Sequence, residues 1–227
     1  CLDIQAGRAD IVLIAGAETF RTRTRLRNRG LKPDWTSEDE SVPFADGANE
    51  NLPMVGPAEL RINLDRPAYV YPLFEQALRI EAGESPDLHR RRIGELWSQF
   101  SDVARDNPYA WSRTPLSAEQ IWQPNEGNRM ISWPYTKLMN SNNMVDQGAA
   151  IVLAAAEEAT RLQIPTERWV FPYAGTDSHD TYAVGERLEL SQSPAIRVAG
   201  RRALELADVG VDDIDLVDVY SCFPSAV

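Results

Sequence analysis

Cys222 stands in the stretch "IDLVDVYSCFPSAV", where an apolar run meets Tyr220, Ser221 and Phe223. A thiol at the exit of a strand is suited either to nucleophilic chemistry, activated by a helix dipole or a nearby base, or to plain packing as a small hydrophobe. An imidazole base within the chain would have to be His89 or His179, the two histidines. His89 precedes "RRR" and reads as part of a solvated helix face, and His179 sits in the loop "TDSHDTY". The arginines of "RTRTRLRNR", Arg21 to Arg29, alternate with other residues, so an extended chain would set them along one face. That stripe would suit the phosphates of an anionic cofactor, or pair with the acids of "SEDE" that follow. "NSNNMVDQGAA" gathers amides and hydroxyls ahead of small residues, as a ligand-approach loop or a simple helix entry does. Neither metal-ligand spacing nor a glycine-rich phosphate loop is present.

The elements that must position these groups read as alternating α and β. "CLDIQAG" reads as the end of a helix stopped by Gly7, and "IVLIA" as a strand from Ile11 to Ala15 closing at Gly16. Because the strand has no polar alternation, it suits a mostly parallel sheet covered on both faces. Residues 21–137 differ, with 11 of the 15 prolines and five of the six tryptophans, and read as a largely helical insertion. In it Ser85 and Pro86 open a helix with Leu96, Trp97, Phe100 and Val103 on its apolar face, ending before Asn107, and Ser117 with Gln120 forms a capping box. From Gly148 the α/β rhythm returns. "AAIVLAAAEEATRLQI" reads as a helix and "RWVFPYAGT" as a strand. Ser193 and Pro194 open a helix ended by Gly210, and "IDLVDVY" forms a further strand.

A net charge of −11 over 227 residues argues against nucleic acid and anionic membrane surfaces as partners. Two cysteines at opposite ends make no disulfide scaffold, which points to a reducing, cytoplasmic setting. No run is long and apolar enough for a membrane span. The start at Cys1 and the abrupt end at Val227 read as a segment of a longer protein.

Taken in order, three blocks resemble the thiolase superfamily. "CLDIQAGRADIVLIAGAE" is similar to that family's helix and "VVVAGG-x-E" strand, "NSNNMVDQGAAIVL" to "N-x-S-G-x-N-D-G-A-A-A-V-x-L", and "DDIDLVDVYSCF" to "D-I-D-L-V-E-x-N-E-A-F". "ARDNPYA" and the Cys-Phe of "YSCF" resemble the sterol-carrier-protein type in particular. The resemblance implies an α/β, five-layered αβαβα fold with a mostly helical loop domain, incomplete in this chain. Residues 1–20 would end the N-terminal half, 21–137 form the loop insertion, 138–175 complete that half and 176–227 begin the C-terminal half. It also implies acyl-CoA acyltransferase chemistry, a coenzyme A thioester as substrate with no permanently bound cofactor, and a homo-oligomer, dimer or tetramer. The family's acyl-accepting cysteine would lie upstream of Cys1. Tyr220, Ser221 and Cys222 would then form the catalytic wall, with Ser141, Asn143 and Phe223 contacting the coenzyme A thioester. This chain departs from the family by carrying Tyr220 where an asparagine or histidine is expected, Ser221 at the acidic position and Asn143 in place of a serine.

Overall fold

The computed structural model describes residues 1–37, 39, 41–42 and 53–227. In chain order its helices and strands are α1 (Leu2–Gln5), β1 (Ile11–Glu18), α2 (Phe20–Asn28), α3 (Pro57–Arg61), α4 (Pro67–Glu81), α5 (Pro86–Asp106), α6 (Ala118–Trp122), β2 (Met130–Ser132), β3 (Tyr135–Thr136), β4 (Gln147–Ala154), α7 (Ala156–Arg161) and α8 (Pro194–Ala207). They form two compact units, one from Cys1–Ala48 with Asn142–Pro172 and the other from Asn49–Ser141 with Tyr173–Val227.

In the first unit β1 pairs antiparallel with β4, in register from Ile11 opposite Ala154 to Glu18 opposite Gln147. The apolar run of β1 is therefore a strand as its sequence suggests, but its partner is antiparallel and both faces of the pair stay open, with Leu13 66% exposed on one and Ile14 54% on the other. The stretch expected as one helix from Ala149 divides: β4 occupies Gln147–Ala154, and only Ala156–Arg161 is helical. Ile151 and Val152 are β-branched, and the ladder with β1 satisfies their backbone groups, which outweighs the weak helix preference of the alanines. Gly7 takes φ +67°, the left-handed stop read from the sequence.

The arginine stripe is α2, a helix instead of an extended chain. Arginine is a good helix former, and Asp146 caps the first turn from across the sequence, accepting from Thr22 N at 2.9 Å and from Thr22 Oγ1 at 2.8 Å. These bonds, led by the Thr22 backbone, and the nearby charges of Arg21 and Arg25 hold the Asp146 carboxyl below its usual range. Residues two apart on a helix lie about 200° apart, so the arginines diverge. Arg23 instead lies over the Phe20 ring at 5.9 Å. Glu38 and Glu40 of "SEDE" lie outside the described residues.

The second unit is built on α4, α5 and α6 around Ile93, Ile121, Tyr135, Met139 and Phe223. Ser85 Oγ caps α5 by accepting from Leu88 N at 3.3 Å, and Ser117 and Gln120 cap α6 reciprocally at 3.2 and 2.9 Å. The buried face of α5 is His89, Ile93 and Gly94, flanked by Trp97, whereas Phe100 and Val103 are exposed. Gly94 sets that face: a Cβ there would stand 2.9 Å from Trp122 Cδ1, so only glycine lets α6 approach so closely. Arg90 completes the crossing by donating to Trp122 O at 2.7 Å.

Ser193 Oγ caps α8 through Ile196 N at 3.2 Å, as its sequence indicates. The helix ends, however, at Asp208, which takes the left-handed conformation at φ 54°, while Gly210 has φ −89°. Aspartate tolerates that region, so the stop needs no glycine. Among the described residues neither 168–176 nor 214–220 belongs to a ladder, so the two strands expected there are not formed. Leu216 and Val217 accordingly remain exposed.

Candidate functional site

Helix α4 carries Tyr71, Glu75 and Leu78 at helical spacing, which puts them on one face toward the end of the chain. Phe223 is driven into this unit as a large buried aromatic, 2% exposed. It stacks on Tyr71, with ring centroids 4.3 Å apart and planes inclined by 19°, and lies 5.5 Å from the Tyr135 ring. Cys222, next to it, is half-buried and packs against the same core. The neighbouring Tyr71 phenol has its pKa pushed up to about 12, first by burial and then by Cys222 and Tyr220, with Arg187 opposing. At neutral pH Tyr71 therefore keeps its proton and acts as a donor.

Tyr220 and Ser221 precede this anchor. Tyr220 is 80% exposed and Ser221 half-buried. Tyr220 borders a groove of about 720 Å³ whose walls include Tyr71, Phe74, Arg187, Gln192 and Ile196. The walls mix aromatic and aliphatic side chains with polar ones, including the carboxylates of Asp180 and Asp218. Arg187 lies 5.4 Å from the Phe74 ring centroid, donates to Thr181 O at 2.8 Å and pairs with Asp180 at 3.8 Å.

Behind the groove lies a buried polar line. Tyr135 Oη donates to Glu75 Oε2 at 2.6 Å and lies 3.0 Å from Ser225 Oγ, and Glu75 Oε1 is 2.6 Å from His89 Nε2. His89 Nδ1 meets Glu84 Oε2 at 2.5 Å, and Arg92 Nε donates to Glu84 Oε1 at 2.9 Å. Burial pushes the Tyr135 phenol up, and the charge of Glu75 adds to this. Desolvation of Glu84 is outweighed by its bonds from His89 and Arg92, which hold its carboxyl below the usual range.

His89, expected on a solvated face, is fully buried. Successive helix residues are about 100° apart, so Arg90 and Arg91 turn to the Trp122 ring, while Arg92 reaches back to Glu84 and within 3.2 Å of His89 Nδ1. His179 is exposed, edge-on to Tyr182 at 4.9 Å. Tyr220, Ser221, Cys222 and Phe223 come together with Tyr71 in the second unit. Ser141 is exposed in that unit and does not line the groove, and Asn143 is exposed in the first unit. Tyr71, Glu75, Tyr135 and Arg187 were not marked by any local motif. A glutamate within the apolar face of α4 was the available signal, since a buried carboxylate requires partners. Among the described residues no three His, Cys, Asp or Glu side chains converge to hold a metal, and no helix is long and apolar enough to cross a membrane.

No protein-family model matches the chain. It is similar to an SCP2-thiolase-like protein type 1 from Mycobacterium smegmatis, with a TM-score of 0.74 and 32% identity, over 99% of this chain and 41% of that one. It shares its fold with a chain of an Ltp2-ChsH2(DUF35) aldolase at a TM-score of 0.61 and 18% identity, over 99% of this chain and 51% of that chain. Two proteins named acetyl-CoA acetyltransferase match in part. The one from Methanothermobacter thermautotrophicus is 28% identical over 120 residues and that from Methanocaldococcus jannaschii 25% over 129. Those matches cover 53% and 56% of this chain but 29% and 31% of the two relatives, so the chain spans under a third of them. The fold is thus α/β and thiolase-like. The chain is related to the thiolase superfamily over part of its relatives' length, and its likeness includes the SCP2-thiolase-like branch.

Proposed function

We propose that the protein is an acyl-CoA acyltransferase of thiolase type, acting on coenzyme A thioesters by Claisen condensation or thiolysis through an acyl-cysteine. The observation that carries this reading is the partial likeness to two proteins named acetyl-CoA acetyltransferase, 28% and 25% identical, with Tyr220 exposed on the rim of a groove in the second unit. In the condensation, a cysteine thiolate outside this chain attacks the acyl-CoA carbonyl and expels coenzyme A as its thiolate, forming an enzyme thioester. A base outside this chain then takes an α-proton from a second acyl-CoA, and the resulting carbanion attacks that thioester and returns the cysteine thiolate. Negative charge grows on the carbonyl oxygen in each attack, and the Tyr220 hydroxyl donates a hydrogen bond to it. Cys222 is a wall residue in this scheme, and Ser141, Asn143 and Phe223 serve the coenzyme A side. The active form is a cytoplasmic homo-oligomer that takes acyl-CoA as substrate and holds no permanent cofactor.

A second reading is binding without turnover, favoured by Tyr220 and Ser221 standing where the family has an asparagine or histidine and an acid. Calorimetric titration of the full-length protein with coenzyme A, beside a thiolysis assay across acyl chain lengths, separates the two. Binding with turnover supports the transferase, binding alone supports the second reading, and neither counts against both.

A further inference from the structure

The line from Ser225 through Tyr135, Glu75 and His89 to Glu84 and Arg92 is continuous, each link 3.0 Å or shorter. Tyr135 and His89 are fully buried and Glu75 is 2% exposed, while Glu84 reaches the surface, its side chain 17% exposed. Both oxygens of Glu75 and both ring nitrogens of His89 are engaged, so nothing polar at the centre is left unmet. Stability alone does not account for such a line, because a well-packed apolar residue in place of a buried ion pair is often as stable or more so. A leucine at position 75 would simply extend the apolar face of α4.

What the line does distinctively is fix a position. Its inner end is Ser225, two residues beyond Phe223 and itself on the groove wall. Helix α4 supplies both supports of that segment, Tyr71 beneath Phe223 and Glu75 one turn later behind Tyr135 and Ser225. The aromatic support leaves the segment free to slide in the plane of the rings. The polar support is directional and removes that freedom.

We infer that Glu75, held by His89 and acting through Tyr135 on Ser225, is a positioning residue for the segment from Tyr220 to Ser225, whose two ends form part of the groove wall. The catalytic use of that wall rests on the acyltransferase reading, but its position does not.

The test measures the segment directly, as the rate at which iodoacetamide alkylates Cys222 in the full-length protein, followed on the Cys222 peptide by mass spectrometry. Hydrogen exchange of the α8 amides is recorded in parallel. Tyr135→Phe removes one hydroxyl and Glu75→Leu the whole link. Each is expected to raise the Cys222 rate about tenfold with α8 exchange unchanged, as release of a single local hydrogen-bonded support would. Glu75→Gln is expected to stay within about twofold of wild type, because its carbonyl still accepts from Tyr135 and its amide still reaches His89 Nε2. Unchanged Cys222 rates in Tyr135→Phe and Glu75→Leu would overturn the inference. So would acceleration in all three variants together with α8 exchange, which would mark a structural role only. If Glu75→Leu does not fold, Tyr135→Phe and Glu75→Gln decide alone. Alkylation is read whether or not the protein turns over acyl-CoA, so failure of the transferase reading leaves this test standing.

Discussion

Phe223 lies face to face on Tyr71, 4.3 Å between ring centroids, and this stack seats the residue that follows Cys222. Tyr71 itself lines the groove, as do Tyr220 and Ser225 on either side of the residue it seats. Tyr220 projects free ahead of that residue.

Phe223→Ala should therefore cost about 3–5 kcal/mol, the usual range for emptying a fully buried phenylalanine site. Urea unfolding followed by fluorescence would measure it. Groove binding should weaken in the same variant even under conditions where it remains folded.

Tyr220→Phe should behave in the opposite way. Its hydroxyl is in solvent, so the melting temperature should not move, whereas kcat for thiolysis should fall by about a hundredfold, the scale for loss of one oxyanion donor. Steady-state kinetics on the full-length variant checks this, with coenzyme A affinity expected to stay at the wild-type value.

Gly94→Ala tests the crossing of α5 and α6. Alanine gains about 1 kcal/mol in helix propensity, but its methyl would sit 2.9 Å from Trp122 Cδ1 and 3.1 Å from Ala118 O. Overpacking of that kind costs about 1–3 kcal/mol and a backbone oxygen cannot turn aside, so a lower melting temperature is expected by differential scanning calorimetry.

Glu59 supplies a pH dependence. It is buried, and its carboxylate accepts from Gly185 N and Gly56 N at 2.6 Å each, bonds that hold its pKa below the ordinary 4.5. A depressed folded-state pKa means that the carboxylate's contribution is fully present above 4.5 and is lost as pH falls through the lower folded value. The difference in urea midpoint between wild type and Glu59→Gln should be largest near neutrality and shrink as pH drops below the ordinary carboxylate range.

The features legible in the sequence are those decided within a few residues. The Ser85, Ser117 and Ser193 caps and the Gly7 stop each rest on a bond or a backbone angle inside one turn. What was illegible depends on partners far along the chain. Gln147–Ala154 is a strand because β1 pairs with it, and α2 is helical partly because Asp146 caps Thr22. His89 looked solvated beside three arginines, and its burial is met by Glu75, on another helix, together with Glu84. The groove shows the same division. Residues 220–223 stand out as a contiguous stretch, whereas Tyr71, Tyr135 and Arg187 reach it through the fold and leave no local pattern.

The acyltransferase reading turns on a covalent intermediate. Incubating the full-length protein with acyl-CoA and measuring its intact mass tests this most directly. The account predicts a shift by one acyl group, reversed on addition of coenzyme A; an unshifted mass across short, medium and long acyl chains would contradict it.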